Sequence, residues 1–507
     1  MRRLLQIPAV DTDSLSGREE NGSQRGAASG YSPRATPIPD GFVNPADRRA
    51  TVAEKEPTML KNTPPAKHGA PAVITGLTLF TVLLWAINLA IVPPEMTTRS
   101  IIHEAFYVTG TVAWLWMALA LVIAARPAGI ERWMKTPLDA LYLWHRRLGV
   151  ATIVLSVVHW LVKSWVGPIL TALAVPSAPK PQNSGAVLEG FDALWAALRP
   201  FAETSGLWLT VLMIALGLLS YLKRLGYARW LTTHKLFSVV FLVLSVHSVR
   251  LMDANDFLTP YGLFNIAITV VGCVASLVLL VPGAGRSKTV DARVVDTKNR
   301  GSVTLVTVET AVPIRAIAGQ FAFLAPASGP FKGEKHPFSI ASVDGRRLVF
   351  AVKHLGDFTD GCIPELKSGD ALRVEGPWGA FLPNRMTGDA VWIAAGIGVA
   401  PFLAWLEARA NEPEVNRRPA RLLWCVRDKA SEPLLADVLE RAERAGVRVE
   451  VFESRGKRFS PDALFAAERP ETIAVCAGDG LARNVAEAWQ RAGGRPEALM
   501  REHFAWR

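Results

Sequence analysis

The chain has 507 residues, enough for about three domains of roughly 150 residues each. Half of its residues are hydrophobic and its mean hydropathy is positive, which is unusual for a soluble protein. The net charge of +11 would suit a nucleic-acid binder, but no DNA- or RNA-binding motif accompanies it, and we expect no nucleic-acid partner. Membrane proteins concentrate Lys and Arg in cytoplasmic loops, which explains the surplus instead.

The first 68 residues are rich in Pro, Gly, Ser, Ala and charge, with little periodicity. This composition predicts a disordered tail. The tail has no early apolar core, so we do not expect a signal peptide. Met59 lies just before the first apolar run and is an alternative start of translation.

Six apolar runs follow, each near the ~20 residues that a helix needs to span a bilayer. They cover residues 71–92, 103–125, 141–162, 206–222, 234–252 and 262–282. Lys and Arg are concentrated between runs two and three, between runs four and five, and after run six. The positive-inside rule then places both termini in the cytoplasm, as in an integral protein of a bacterial inner membrane.

The character of the sequence changes after residue 288. Short alternating strands come first, such as SVTLVTVET at 302–310 and RRLVFAVKHL at 346–355. From about residue 390 the order becomes strand, Gly-rich turn, helix and strand, as in AVWIAAGIGVAPFLAWLEARA followed by RLLWCVRD. This pattern predicts a small antiparallel barrel and then a parallel α/β domain.

The four cysteines Cys273, Cys362, Cys425 and Cys476 lie far apart in the sequence. Their spacing excludes a zinc CxxC pair, a covalent haem CxxCH site and a clustered iron–sulfur site. Nothing in the spacing suggests a disulfide scaffold.

Runs three and five each carry two histidines, near their two ends. His145 and His159 are fourteen residues apart, and His234 and His247 are thirteen apart. Ionisable side chains inside membrane segments are costly and usually functional. If both runs cross from inside to outside, each level of the membrane receives one histidine from each helix, with the levels roughly 20 Å apart. This arrangement predicts two haems, each held by two imidazoles and, without a CxxCH motif, of the noncovalent b type.

One feature of the histidine spacing is imperfect. Fourteen residues bring His159 to within about 40° of His145, but thirteen residues leave His247 roughly 140° from His234 on an ideal helix. Helix crossing, a bend, or a turn between the two levels must absorb this difference. Lys163 and Arg250 lie near the outer histidines, where they would hold haem propionates, attract an anionic acceptor, or simply extend to the membrane interface.

With these residues the chain resembles the NADPH oxidase / ferric reductase family of transmembrane flavocytochromes, over about residues 72–507. The two histidine spacings match that family, as do their settings HRRLG at 145–149 and THKLF at 233–237. The resemblance implies two haem b groups, FAD and NADPH as cofactors.

The segment HPFSIAS at 336–342 resembles the flavin motif of the family, preceded at the expected distance by GQFAFL at 319–324. Ser339 would lie near flavin N5, which must accept a hydride, and Phe338 would cover one face of the ring. The neighbouring Pro337 belongs to the same motif, and His336 stands where soluble relatives have Arg.

The segment VKHLGDFT at 352–359 resembles the second flavin segment, and VEGPWGAF at 374–381 resembles the turn that closes the barrel. In the second flavin segment the residues that would meet the FAD pyrophosphate are Lys353, Gly356 and Thr359.

The segment GIGVAP at 396–401 carries the nicotinamide dinucleotide signal. It follows a strand and opens a helix, so that backbone amides can receive the pyrophosphate. Gly396 and Gly398 supply the turn, and Pro401 suits the first helical turn. Cys476 in VCAGDG resembles the family's cysteine beside the nicotinamide, although Asp479 stands where the usual form has Pro.

The choice between NADP and NAD depends on the adenosine 2′-phosphate. Arg427 follows the second strand of the α/β domain, and Ser454 and Arg455 follow the third. A hydroxyl and guanidinium groups suit a phosphate, which favours NADPH. At the C-terminus, Phe504 or Trp506 would cover the flavin face, as a terminal aromatic residue does in the family.

We therefore predict a bundle of six transmembrane helices followed by an antiparallel β-barrel FAD domain and an α/β parallel-sheet NAD(P) domain. The boundaries are 1–68 for the tail, 69–285 for the haem-binding domain, 286–386 for the FAD domain and 387–507 for the NAD(P) domain. The expected enzyme is an NAD(P)H-dependent transmembrane oxidoreductase. It reduces O2 to superoxide, or a ferric chelate, on the far side of the lipid bilayer.

Two other classes stay open at this stage. A membrane-anchored NAD(P)H–flavin reductase would pass electrons to a cytoplasmic partner protein, but such reductases usually carry a clustered-cysteine iron–sulfur domain. A non-enzymatic channel or sensor would use its cytoplasmic half only to bind nucleotide. The first would lack a haem spectrum, and the second would show no NADPH-dependent bleaching of flavin or haem.

Overall fold

A computed structural model describes residues 69–94, 97–173, 190–222, 226–281, 284, 288–456 and 458–503. The predictions for the tail at 1–68, for Met59, and for Phe504 and Trp506 fall outside these residues. In the first half the described helices are α1 (Gly69–Ile91), α2 (Thr98–Ala125), α3 (Ile130–Met134), α4 (Leu138–Leu161), α5 (Gly167–Ala172), α6 (Gly190–Ser220), α7 (Tyr227–His234), α8 (Leu236–Arg250) and α9 (Pro260–Leu280).

Six helical stretches among the described residues are long and apolar enough to cross a membrane, which confirms the predicted number of spans. They are Gly69–Ile91, Ile102–Ala125, Leu138–Val166, Asp192–Ser220, Tyr227–Arg250 and Pro260–Leu280. The third stretch continues α4 through a turn of π-helix at Val162–Val166. The protein is therefore an integral membrane protein.

The fourth span begins well before the apolar run that predicted it. The run was expected at 206–222, but α6 starts at Gly190 and contains Pro200 in its interior. The added half includes charged residues, among them an exposed i,i+4 ion pair between Arg199 and Glu203. A search for continuous apolar residues cannot detect such a helical extension, because helix formation does not require an apolar sequence.

The helix α2 forms the centre of the bundle. It packs against α4 on one side and α9 on another, while α8 packs against α6 and α9. Trp114 of α2 stacks on Phe241 of α8 with ring centroids 3.9 Å apart, and its indole N–H donates to Thr269 Oγ1 at 2.9 Å. A buried indole is well placed only where its N–H finds an acceptor, and here α9 supplies one.

The second half opens with a closed antiparallel barrel in the order β1-β2-β5-β4-β3-β6. Its strands are β1 (Thr289–Arg300), β2 (Val303–Thr310), β3 (Phe321–Pro326), β4 (His336–Asp344), β5 (Arg347–Lys353) and β6 (Ala371–Trp378), with a short helix α10 (Asp357–Gly361) after β5. Apolar side chains from all six strands fill the interior, including Val306, Ile340 and Phe350, which are fully buried. The predicted barrel is confirmed.

A parallel five-stranded sheet follows, in the order β11-β10-β7-β8-β9. Its strands are β7 (Ala390–Ala395), β8 (Ala420–Val426), β9 (Arg448–Glu453), β10 (Thr472–Cys476) and β11 (Leu499–Glu502). The helices between them are α11 (Ala400–Ala410), α12 (Leu435–Ala445), α13 (Pro461–Ala467) and α14 (Asp479–Arg491). In such open α/β sheets, ligands bind beyond the carboxyl ends of the strands, where the predicted nucleotide residues lie.

Candidate functional site

His145 and His234 face each other at the end of the helical bundle nearer the barrel. Their ring centroids are 5.8 Å apart, with the ring planes at 65°. We call them the barrel-side pair. His159 on α4 and His247 on α8 form the far-side pair, and they are close enough to interact electrostatically. The structure thus groups the four histidines into two levels, each with one histidine from the third span and one from the fifth.

Three of the four histidines direct Nδ1 at a backbone carbonyl of a neighbouring helix. These contacts join His145 to Ala120 O at 2.9 Å, His159 to Phe106 O at 3.1 Å and His247 to Ala202 O at 2.6 Å. A carbonyl oxygen can only accept a hydrogen bond, so each Nδ1 must carry the proton. The Nε2 lone pair of each ring is then available to a metal.

The fourth histidine reaches the same tautomer by a different contact. His234 Nδ1 lies 3.1 Å from the hydroxyl oxygen of Ser220. That hydroxyl donates its own hydrogen to Leu216 O at 2.7 Å, so its oxygen accepts from His234. All four imidazoles therefore have a protonated Nδ1 and an unprotonated Nε2, the state that a metal ligand requires.

The space between the histidine helices suits a flat cofactor. Within the described residues, α4 and α8 barely touch each other, although each packs closely on other helices. Two metal–imidazole bonds of about 2 Å would place ring centroids roughly 6 Å apart, close to the separation of the barrel-side pair. No group of three or more His, Cys, Asp or Glu among the described residues could hold a bare metal ion. Two imidazoles fit iron whose other ligands come from a porphyrin.

Lys235 interrupts the helix between the two histidines of the fifth span. α7 ends at His234, α8 begins at Leu236, and the N–H of Ser238 donates to Lys235 O at 3.0 Å. This tighter i to i+3 turn changes the rotation of the chain between His234 and His247. Of the three explanations left open by the sequence, the structure supplies a turn.

The sequence did not reveal the residues that hold the imidazole rings in place. Phe106 stacks on the His159 ring at a centroid distance of 3.8 Å, and Trp230 stacks on His234 at 5.0 Å. A Cβ atom at Gly110 would lie 2.7 Å from Cε1 of His159. No sequence motif marks Phe106 or Trp230 as a partner of a histidine, and nothing local distinguishes Gly110 from other helical glycines.

The predicted flavin motif lies on β4, next to the start of the fifth span. His336 stacks on Phe358 at 3.8 Å, its Nε2 lies 3.2 Å from Glu334 Oε2, and its ring centroid is 4.4 Å from that of Tyr227. Burial lowers the pKa of His336, and the nearby Glu334 carboxylate partly opposes this. Since Tyr227 opens α7, the flavin motif contacts the helix that ends in His234.

The rest of the motif follows the strand alternation. Ser339 is buried and pairs in register with Phe321 of β3, while Phe338 pairs with Ala322. Pro337 precedes them, half-buried, in register with Phe323. The motif is therefore a strand in the barrel wall.

The second flavin segment forms a turn stabilised by its own side chain. Thr359 Oγ1 accepts hydrogen bonds from the backbone N–H groups of Leu355 at 2.8 Å and Gly356 at 3.0 Å. Lys353 extends towards the α/β domain, since a Cβ on Gly396 would lie 3.7 Å from its Nζ. Lys353 thus lies between the predicted flavin and nucleotide segments.

The predicted nucleotide turn at residues 396–401 requires glycine at two positions. Gly396 has a φ of +51°, in the region that side chains disfavour. A Cβ on Gly398 would collide with the carbonyl oxygen of Cys476, so the turn and the end of β10 approach too closely for any other residue. Pro401 lies in the first turn of α11, as predicted from its sequence position.

Cys476 has a partner that the sequence did not indicate. It is fully buried at the end of β10, in register with Glu502 of β11, and its Sγ donates to Glu502 Oε2 at 3.3 Å. Burial and the nearby Glu502 carboxylate raise the pKa of the Cys476 thiol well above its ordinary value. Burial, reinforced by Asp139, raises the pKa of Glu502 to about 8. The next residue, His503, donates its backbone N–H to Asp139 Oδ2 of α4 at 3.2 Å.

The predicted phosphate-binding residues gather at the carboxyl ends of β8 and β9. The backbone N–H of Ser454 donates to Val426 O at 3.1 Å, which brings Ser454 beside Arg427. Both residues are exposed, as is Arg455. Arg458, which the sequence did not single out, donates from Nε to Ser454 O at 2.9 Å and adds a cation to this edge.

One protein family and several solved structures are similar to parts of this chain. Residues 109–245, which include His145, His159 and His234 and end two residues before His247, match the family described as ferric reductase like transmembrane component. The chain is similar to the cytochrome P450 reductase GcoB of Amycolatopsis, with 25% identity over 44% of this chain and 73% of that one, at a TM-score of 0.38. It is also similar to a Malassezia yamatoensis flavohemoglobin with bound FAD and heme. The identity is 17% over 66% of this chain and 91% of that one, at a TM-score of 0.40. A third similar structure is a Neisseria gonorrhoeae ferredoxin NADP+ reductase with bound FAD and NADP. The identity is 18% over 43% of this chain and 98% of that one, at a TM-score of 0.37.

The described residues thus join a membrane-capable helical bundle, part of which is similar to the ferric reductase like transmembrane component, to a closed antiparallel barrel and a parallel sheet.

Proposed function

We propose that the protein carries electrons from cytoplasmic NADPH through FAD and two b-type haems to a small oxidant on the far side of the membrane. Residues 69–285 would hold the haems, 286–386 the FAD and 387–507 the NADPH. When bound, the flavin provides hydride acceptance and the haem irons provide single-electron transfer. Both termini would lie in the cytoplasm of a bacterial cell.

The observation that carries this proposal is the common tautomer of the four histidines. Each Nδ1 is engaged by a carbonyl or a hydroxyl, which leaves four unprotonated Nε2 atoms at two levels. A set of merely structural histidines would not need this uniform state. His145 and His234 would ligate one haem iron, and His159 and His247 the other.

On the nucleotide side, the chain's own groups would align the two reacting rings. Backbone amides at the start of α11 would receive the dinucleotide pyrophosphate, and Arg427, Ser454 and Arg455 its 2′-phosphate. Cys476 would border the nicotinamide, and Ser339 would offer a hydroxyl to the flavin. These assignments make NADPH the preferred donor.

At the far side, an iron with two imidazole ligands has no open position, so the acceptor would be reduced without binding to it. Either O2, giving superoxide, or a ferric chelate suits such a reaction. Lys163 is exposed on the π-helical turn and acts electrostatically on both far-side histidines. A cation there would attract an anionic chelate and would leave neutral O2 unaffected.

The test is steady-state NADPH oxidation by detergent-purified protein, with O2 compared against ferric citrate. Cytochrome c reduction that superoxide dismutase suppresses would identify O2 as the acceptor, whereas dismutase-insensitive Fe2+ formation would identify the chelate. The same preparation should contain two haems per chain. A cofactor-replete sample with no haem, or only one, would refute the proposal and favour a reductase that serves a cytoplasmic partner protein.

A further inference from the structure

A buried carboxylate of the barrel is paired with a cation of the membrane domain. Glu375 of β6 forms an ion pair with Arg126, whose Nη2 donates to Oε2 at 3.3 Å and whose Nε lies 3.1 Å from Oε1. The Glu375 side chain is 9% exposed and that of Arg126 16% exposed. Arg126 also lies over the Phe323 ring, 4.3 Å from its centroid. An ion pair with so little exposure to water is weakly screened and holds the barrel against the end of α2.

The same carboxylate is connected to the helix of His234. Lys335 Nζ lies 2.6 Å from Glu375 Oε2, and the backbone carbonyl of Lys335 accepts from the Tyr227 hydroxyl at 3.3 Å. Tyr227 is the first residue of α7, which ends at His234. Glu375 therefore ties the barrel to α2 directly and to α7 through one residue.

A second carboxylate makes the reverse connection, from the membrane domain to the barrel. Glu131 of α3 accepts on Oε1 from the backbone N–H of Gly379 at 3.1 Å and from that of Leu138 at 2.8 Å. Leu138 opens α4, two turns before His145. The helices of both barrel-side histidines are thus attached to one short segment of the barrel, residues 375–379, which we call the docking segment.

The docking segment lies next to the flavin motif. β6 pairs with β3, and β3 pairs with β4, where Phe321 is in register with Ser339. A Cβ on Gly379 would lie 3.0 Å from the Phe321 ring, which shows how closely the segment packs on β3. One strand therefore separates the docking segment from the flavin motif, so both are parts of one rigid barrel wall that moves as a unit relative to the membrane domain.

We propose that Glu375, with Arg126 and Glu131 on the membrane side, is a positioning residue that sets the separation between the flavin site and the barrel-side haem site. The inference rests on the proposed function. It predicts that these side chains govern the transfer of electrons from the barrel to the haem, while hydride delivery from NADPH does not depend on them. None of the three belongs to a nucleotide or flavin segment, so the two steps can be separated.

The experiment compares Glu375→Gln and Arg126→Lys with wild type in anaerobic stopped-flow mixing with NADPH. Glu375→Gln removes the charge, and Arg126→Lys keeps the charge but removes the planar guanidinium that donates both to Glu375 and to the Tyr142 hydroxyl. Flavin bleaching should stay within about twofold of wild type. Haem reduction should slow several-fold, clearly beyond the change in flavin bleaching, because electron transfer between two bound groups weakens steeply as their separation grows. Glu309→Gln is the matched control, because Glu309 pairs with Arg346 on the exposed barrel surface.

A second measurement is independent of the bound cofactors. In haem-free protein, amide hydrogen exchange of residues 376–381 should accelerate in Glu375→Gln and Arg126→Lys and stay unchanged in Glu309→Gln. If Glu375→Gln does not retain its cofactors, Arg126→Lys decides the result, since it leaves no buried charge unpaired.

The possible outcomes separate the two proposals. Wild-type haem reduction and unchanged exchange in both variants would overturn the positioning role, as would equal slowing of flavin bleaching and haem reduction. Failure of NADPH to reduce any haem in the wild-type protein would instead refute the proposed function.

Discussion

Gly206 lies directly against the ring of His247: a Cβ atom added to this glycine would be 2.5 Å from Cε1 of the imidazole. The same relationship holds on the other side of the far-side pair, where Gly110 faces His159. Each far-side ring therefore lies against a neighbouring helix where that helix has no side chain. Real Cβ atoms do not approach so closely, so a larger residue must displace the ring.

We expect Gly206→Ala to reduce occupancy of the far-side haem site. The added methyl group would move the His247 ring and weaken its hydrogen bond to Ala202 O, so that Nε2 no longer points at the site. The haem content of purified protein, measured as the pyridine haemochrome, should fall from about two per chain towards about one, with NADPH-dependent flavin bleaching retained.

Gly76→Ala on α1 is the matched control. A Cβ at Gly76 meets nothing within 4 Å, and alanine is favoured over glycine in a helix by up to ~1 kcal/mol. Haem content in this variant should equal that of wild type. If Gly206→Ala also contained as much haem as the wild-type protein, the assignment of His247 as a ligand would be contradicted.

His159→Ala should remove the far-side haem and stop reduction of acceptors across the membrane, because it deletes one of the two proposed ligands. The barrel-side haem should still be reduced by NADPH, since His145 and His234 keep their contacts. The measurement is the haem spectrum before and after NADPH, together with acceptor reduction in sealed vesicles. Retention of both haems in this variant would show that His159 is not a ligand.

Arg427→Ala and Arg455→Ala should each raise KM for NADPH and leave KM for NADH almost unchanged. Loss of one charge-assisted hydrogen bond to the 2′-phosphate costs about 1.5–3 kcal/mol, or roughly 10- to 100-fold. Arg448→Ala is the matched control, because this exposed arginine lies at the amino end of β9, away from the carboxyl ends where Arg427 and Arg455 lie. Equal effects on both nucleotides would contradict a role in phosphate recognition.

Glu502 should make the protein less stable as the pH rises. Its pKa is raised by burial to about 8 in the folded protein, against 4.5 for an ordinary Glu. Between these values the folded protein retains a proton that the unfolded chain has released, so stability falls with increasing pH in this window and levels off above it. The loss amounts to a few kcal/mol at most.

The thermal denaturation midpoint in detergent, measured at several pH values from 5 to 9, tests this expectation. Glu502→Gln keeps an oxygen that can accept from Cys476 Sγ and cannot ionise, so its midpoint should depend less on pH than that of wild type. Identical pH profiles for the two proteins would show that Glu502 does not titrate in this range.

The sequence alone determined the features that depend on local composition. The length and apolar character of the spans, the strand alternation at 302–310, and the strand–turn–helix order around GIGVAP predicted the architecture. These features are set by which residues avoid water and by which backbone angles Gly and Pro allow, and both are properties of nearby residues. The identity and grouping of the four histidines followed from the same information.

Only the tertiary structure decided how those histidines are held. The Nδ1 partners are mostly backbone carbonyls, which every residue has, so no sequence pattern marks Ala120 or Ala202 as a partner. The Cys476–Glu502 contact depends on the parallel register of β10 and β11, and the contact of Glu131 with Gly379 joins groups 248 positions apart in the chain. Such contacts depend on how distant elements pack, and the residue types at either end do not determine that packing.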